Sequence, residues 1–220
     1  MTGTAFAKEA CYIWVIFSRT HTGMGKLIRT VTGAEYNHVS VCLNGDLGKV
    51  YSFARYRVNS PLAGGFVHES PERLLWGGLD TEVEIYAIPL TGAGYQRISE
   101  RIGQCCAMEH GRLLYNSFGA ALSALGLRFF VPNAYTCLDF ASELLGQENI
   151  TSIPQLRQRL QPHLAYQGGL RKLCLPLLRA PKRVPDPYFE CRTHQQVIGD
   201  TIRHFLHLSI RVALVLSFFL

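Results

Sequence analysis

The chain has 220 residues, of which 48% are hydrophobic, 17% charged and 11% aromatic. That composition excludes a disordered, collagen-like or low-complexity chain, and the length lets a fold bury roughly 70% of its unfolded surface. The net charge of +6 is unevenly placed: residues 1–170 hold 14 Lys+Arg against 13 Asp+Glu, whereas residues 171–220 hold 8 against 3. With the excess in the tail, and no basic run interleaved with aromatics, a nucleic-acid face is not expected.

Residues 11–17, CYIWVIF, are short, β-branched and aromatic, which predicts a buried strand. Lys8 and Glu9 precede this run, which is too short for a secretory h-region, so no signal peptide is expected. Met24, Leu27, Ile28 and Val31 recur at helical spacing before Gly33, a natural C-terminal stop. In HVSVCL (38–43) the residues alternate, with Val39, Val41 and Leu43 on one face and His38, Ser40 and Cys42 on the other. Asn44-Gly45-Asp46 turns the chain, and 49–53 returns as the second arm of a hairpin. Residues 60–71 read as a Gly/Pro-rich loop, and 82–88 as a further alternating strand.

Helical spacing dominates after residue 95: helices are predicted over 96–110, 113–125 (with Ala120, Ala121 and Ala124), 136–145 and 154–164. Strands followed by helices imply an α+β fold with an antiparallel sheet and packed helices. Three regions are expected: a domain over 1–173, a Pro-rich extended linker over 174–193, and an amphipathic, finally apolar helix over 194–220. The basic tail suits peripheral contact with an anionic membrane surface, or docking on the protein's own core. Its basic and histidine residues weigh against a full membrane span. Seven cysteines, an odd number without a CxxC, point to reduced thiols and a cytoplasmic chain. The Cys191/His194 and His204/His207 pairs have no zinc-site spacing between them, so no metal and no cofactor is expected.

The chemistry centres on TCLDFASELL (136–145). Apolar residues at 137, 140, 141, 144 and 145 make one buried helical face, and Thr136 with Asp139 forms a capping-box-like start. Cys137 then sits in the first turn, where unpaired N–H groups and the helix dipole favour a thiolate and can hold an oxyanion. Asp139 opposes the thiolate and calls for a nearby cation. His38, opening an alternating strand on its polar side, is the best imidazole partner.

YIWVIF, SRTHTGMGKLIRTVTG, YNHVSVCL, VYSFARY, GGFVHE and AYTCLDFASELL resemble, in that order, a bacterial group of papain-like enzymes. This group is the circularly permuted branch of the NlpC-type cell-wall peptidase superfamily, related to lecithin–retinol acyltransferase. The resemblance covers about residues 12–173, and it implies a papain-like permuted fold with Cys137 as nucleophile and His38 as general base. Related enzymes orient the histidine from the following strand, where this chain offers Ser52; Glu69 is a stronger acceptor, expected on a loop. Tyr36 is a candidate to line the site, and Leu138 replaces a small polar residue and makes that wall more apolar. The expected activity is a cysteine hydrolase, amidase or peptidase, or an acyltransferase, acting through a thioester on a small-molecule, peptide or acyl substrate. The alternative is a binding module that keeps the fold without the chemistry.

Overall fold

Alternation of buried side chains organises the molecule around an eight-stranded sheet, which the computed structural model describes over residues 10–75, 79–123, 127–147, 149–179 and 185–217. The strands are β1 (Cys11–Ser18), β2 (His38–Leu43), β3 (Val50–Arg57), β4 (Ser60–Glu69), β5 (Glu82–Leu90), β6 (Leu114–Tyr115), β7 (Ala134–Tyr135) and β8 (Leu164–Gly169). Their order is β7-β6-β4-β3-β2-β1-β5-β8. The predicted hairpin forms as β2 and β3, with Asn44 and Gly45 at positive φ in its turn. Neighbours are antiparallel except β6 and β7, which run parallel, so the sheet is mixed and not wholly antiparallel as expected. The two-residue strands β6 and β7 carry too little alternation to be read in sequence.

Both faces of the central strands are covered. Ile13, Val15, Phe17, Val39 and Val41 pack beneath α3 (Gly92–Ala107), α5 (Cys137–Leu145) and α6 (Ile153–Leu160). Their alternates, Ile16 and Cys42, pack with Leu170 and Cys174 of α7 (Leu170–Arg179). The helix predicted after His21 is α1 (Gly23–Thr32), closed by Gly33 in the left-handed conformation. Short helices α2 (Pro71–Leu74) and α4 (Ser117–Ser123) connect strands; the latter replaces the longer helix expected over 113–125, and Ala124 lies outside the described residues.

Two further expectations are corrected. The Gly/Pro-rich stretch at 60–71 is strand β4, and its glycines are there because neighbouring backbone comes close. A Cβ on Gly65 would collide with the Leu113 carbonyl and the Tyr56 hydroxyl, and one on Gly64 with the Ala54 carbonyl. The segment 174–193 is not uniformly extended either. Residues up to Arg179 continue α7, with Pro176 inside it, and Pro187–Phe189 form a 3-10 turn that buries Tyr188. Apolar Leu170 and Cys174 give that helix a face to bury, which the count of prolines obscured.

The tail forms α8 (His194–Ser217), which lies on β4 and buries His204 and Leu208. Ile198, Ile202, Leu206, Ile210 and Leu214 stay exposed. No helix among the described residues is long and apolar enough to cross a membrane.

Because β6 pairs with β4 at Gly65, its attachment depends on the missing side chain there. Gly65→Ala is expected to cost about 1–3 kcal/mol, the usual range for overpacking. Urea denaturation followed by tryptophan fluorescence measures it, with Gly103→Ala as the control, since a Cβ at Gly103 meets nothing within 4 Å.

Candidate active site

The helix that presents Cys137 is capped and anchored by its own sequence. Thr136 is its N-cap: Thr136 Oγ1 accepts from Asp139 N at 3.0 Å, while Asp139 Oδ2 accepts from Thr136 N at 3.0 Å and from Thr136 Oγ1 at 2.8 Å. Such a cap is worth about 1 kcal/mol. The cap satisfies the amide of Asp139, so the helix leaves the amides of Cys137 and Leu138 as first-turn donors without an intrahelical acceptor. One turn on, Phe140 packs on Phe53 of β3 with ring centroids 5.3 Å apart, and Phe53 also meets Tyr135 at 5.0 Å. These edge and tilted contacts fix the helix against the sheet. The cation that Asp139 calls for is Arg128, 3.5 Å away.

His38 opens β2 and is held by Glu69, the last residue of β4. His38 Nε2 lies 2.8 Å from Glu69 Oε1, and Ser40 Oγ donates to Glu69 Oε2 at 2.5 Å. An ionised carboxylate only accepts, so Nε2 carries the hydrogen. Nδ1 is left without a tie to Glu69, and Cys137, which shares a cavity with His38, favours the charged imidazole. Burial alone would pull the pKa of His38 down. The Glu69 charge and the hydrogen bonds with Cys137 and Glu69 outweigh it and hold that pKa well above the ordinary 6.5. Burial likewise works to raise Glu69, but the charge of His38, the bonds from His38 and Ser40, and the Arg73 charge hold it well below 4.5.

Cys137, His38 and Glu69 line one cavity of about 110 Å3 together with Arg73, Tyr115 and Tyr188. Tyr188 arrives from the 3-10 turn. Arg55 Nη2 donates to its hydroxyl at 2.8 Å, and the Arg73 guanidinium lies 4.8 Å from its ring centre. Arg73 is itself clamped by both oxygens of Asp186 at 2.7 Å. Burial pushes the Tyr115 phenol up, and the Cys137 and Asp139 charges push it further.

The other candidates separate clearly. Glu69 reaches the imidazole from a strand end, not from a loop. Ser52 is buried on β3 opposite Val67; its Oγ has no hydrogen-bond partner, and it does not line the cavity. Leu138 points into the core beneath the sheet and leaves the cavity wall to others. Tyr36 also packs in the core, edge-on to Phe17 and under Arg157. Arg55, Arg73, Tyr115, Asp186 and Tyr188 were not foreseen. Only Asp186 had a legible signal, because Asp-Pro opening a short turn is a cap pattern. Among the described residues, no three His, Cys, Asp or Glu side chains gather as metal ligands would.

Compared with family models, curated proteins and solved structures, the chain matches none.

The Glu69–His38 pair ties stability to pH. The raised pKa of His38 gives a contribution that is full below 6.5 and lost as pH rises through the folded value. The depressed pKa of Glu69 gives one that is full above 4.5 and lost as pH falls through the folded value. The pair therefore contributes most between 4.5 and 6.5. In Glu69→Gln the His38 ring should titrate at lower pH, read from its NMR ring-proton shifts. The stability gap to the wild type should narrow at both pH extremes; an unchanged His38 midpoint contradicts the assignment.

Proposed function

We propose that the chain is a thiol-dependent acyl hydrolase or acyltransferase in which Cys137 is the nucleophile, His38 the general base and acid, and Glu69 the group that orients His38. The observation that carries this reading is the hydrogen-bonded set Ser40, Glu69 and His38, opening on one cavity that His38 and Glu69 share with Cys137. The likeness of YNHVS and AYTCLDF to permuted papain-like enzymes supports the same assignment and the same fold.

In the first step the Cys137 proton passes to His38 Nδ1, and the sulfur forms a bond to the substrate carbonyl carbon. Charge on the carbonyl oxygen develops at the helix start, where the cap leaves the first-turn amide of Cys137 available to it. Collapse breaks the bond to the amine or alcohol, which leaves with the proton returned by His38, and a thioester remains on Cys137. A water molecule, or an acceptor hydroxyl or amine, gives its proton to His38 and attacks the thioester. The acyl product departs and the thiol is restored. Glu69 changes no bond; it keeps the imidazole turned toward the sulfur and stabilises the imidazolium between steps.

Leu138 packs in the core and the Glu69 carboxylate bonds the His38 ring, and both observations support the catalytic reading over an inactive binding module.

Alkylation by iodoacetamide followed by peptide mass spectrometry tests the nucleophile. Cys137 should react faster than Cys106 and Cys191, although those two thiols are exposed and Cys137 is buried. With an activated ester as substrate, Cys137→Ala should lower turnover by about 10³-fold or more, and His38→Ala by about 10²–10⁴-fold. Labelling of Cys137 no faster than the exposed thiols, or full turnover by Cys137→Ala, leaves a binding module as the reading.

A further inference from the structure

A second and larger cavity, about 660 Å3, lies between α8 and the end of the sheet made by β3, β4 and β6. Five arginines line it, Arg57, Arg112, Arg192, Arg203 and Arg211, against a single acid, Asp200. Asp200 is engaged by Arg192, accepting from its Nε and Nη2 at 3.0 and 3.2 Å. Arg57 meets Glu190 at 3.4 Å, but that carboxylate is mostly exposed and the pair is weak. Arg211 gives its hydrogens to the carbonyls of Asn133 and Arg112 at 2.7 and 3.0 Å, not to a carboxylate. Arg112 and Arg203 form no ion pair among the described residues. The cavity therefore holds positive charge that the protein does not balance.

Buried polar atoms point to the same place. Ser60 Oγ, Arg57 Nε and His204 Nδ1 have no hydrogen-bond partner, and all three residues line the cavity. Ser60 is 1% exposed and His204 4%. Buried groups of this kind ordinarily have partners, so three together mark a place where something else supplies them. His204 also specifies what is missing. Its Nε2 is 3.0 Å from the Tyr115 carbonyl, which can only accept, so Nε2 carries the hydrogen. Burial, with Arg211 and His207 nearby, holds the imidazole below its ordinary pKa against the pull of that carbonyl. Neutral His204 then offers a bare Nδ1 lone pair, an acceptor among donors.

We propose that this cavity binds a phosphate ester bearing a free hydroxyl: Arg57, Arg112 and Arg203 take the anionic oxygens, and His204 Nδ1 accepts from the hydroxyl. Ser60 Oγ is a further donor to the phosphate. The cavity is larger than a bare phosphate ion needs, which leaves room for the alcohol portion. The same chemistry occurs in a soluble glycerol or sugar phosphate and in the glycerophosphate headgroup of an anionic lipid. The exposed row Ile198, Ile202, Leu206, Ile210 and Leu214 advances by about 40° at each four-residue step, so at its C-terminal end it comes beside the Arg203–His207 row. The proposal stands whether or not Cys137 is a nucleophile.

Titration calorimetry of the full chain with glycerol 3-phosphate, and co-sedimentation with phosphatidylcholine vesicles with and without phosphatidylglycerol, test it. Saturable binding of glycerol 3-phosphate supports a soluble ester. Binding only to phosphatidylglycerol vesicles supports a lipid headgroup. In either case Arg112→Glu with Arg203→Glu should weaken binding by about 10-fold or more. Both side chains are exposed, and the milder Arg203→Gln should weaken binding in the same direction. Ethyl phosphate, which lacks the alcohol, should bind less tightly than glycerol 3-phosphate. Binding to neither probe, equal sedimentation with pure phosphatidylcholine, or unchanged affinity in the arginine variants overturns the proposal; equal affinity for ethyl phosphate overturns the role of His204.

Discussion

The buried carboxylate of Glu69 organises the centre of this molecule. Glu69 is almost without solvent, and a charge so placed is tolerated only when it is paired and hydrogen-bonded. Its two oxygens take the His38 ring and the Ser40 hydroxyl, so β4 and β2 are tied together across β3. The tie fixes the orientation of the His38 ring, with Nε2 toward the carboxylate, and in the neutral ring it keeps the hydrogen on Nε2 and the lone pair on Nδ1. Removing the hydroxyl, the imidazole or the carboxylate leaves the others with an unsatisfied buried group, and this makes the arrangement a unit and not a collection of contacts.

The parts of the fold that were legible in sequence are those where one local rule acted alone. Strict alternation in HVSVCL placed Val39 and Val41 on one face and Cys42 on the other, where they lie. Thr136 and Asp139 announced a helix start, and the full reciprocal cap is present there. Cys137 and His38 could be singled out because each sits at the end of such a well-marked element. Where two rules competed, the reading failed. The glycines of β4 signal a loop by composition, yet they serve close backbone approach inside a strand. The prolines after Leu173 signal an extended linker, yet α7 runs through Pro176 to Arg179 because Leu170 and Cys174 have a face to bury.

The rest of the site was hidden for a different reason: its residues are brought together only by long-range pairing. Asp186 and Arg73 are separated by 113 residues, and no periodicity links them. Tyr188 belongs to the cavity because Arg55 of β3 and Arg73 of α2 hold it there. Ser52 and Glu69 show the same limit from the other direction. Sequence placed both near His38, and only the register and direction of the side chains separate the buried, partnerless hydroxyl from the carboxylate that bonds the ring.

Strand β6 is two residues long, and Tyr115 makes it a party wall. Its side chain lines the cavity that holds Cys137, while its carbonyl oxygen accepts the hydrogen bond from His204 on the far side. One residue therefore serves both chambers, lining the first and holding a histidine of the second. The Asn116 amide, on the same peptide plane as the Tyr115 carbonyl, donates to the Tyr135 carbonyl at 2.9 Å, so the pairing with β7 holds the acceptor in place for His204. The two chambers thus share Tyr115, and a change in its backbone bears on the His204 contact of one as well as on the Cys137 cavity of the other.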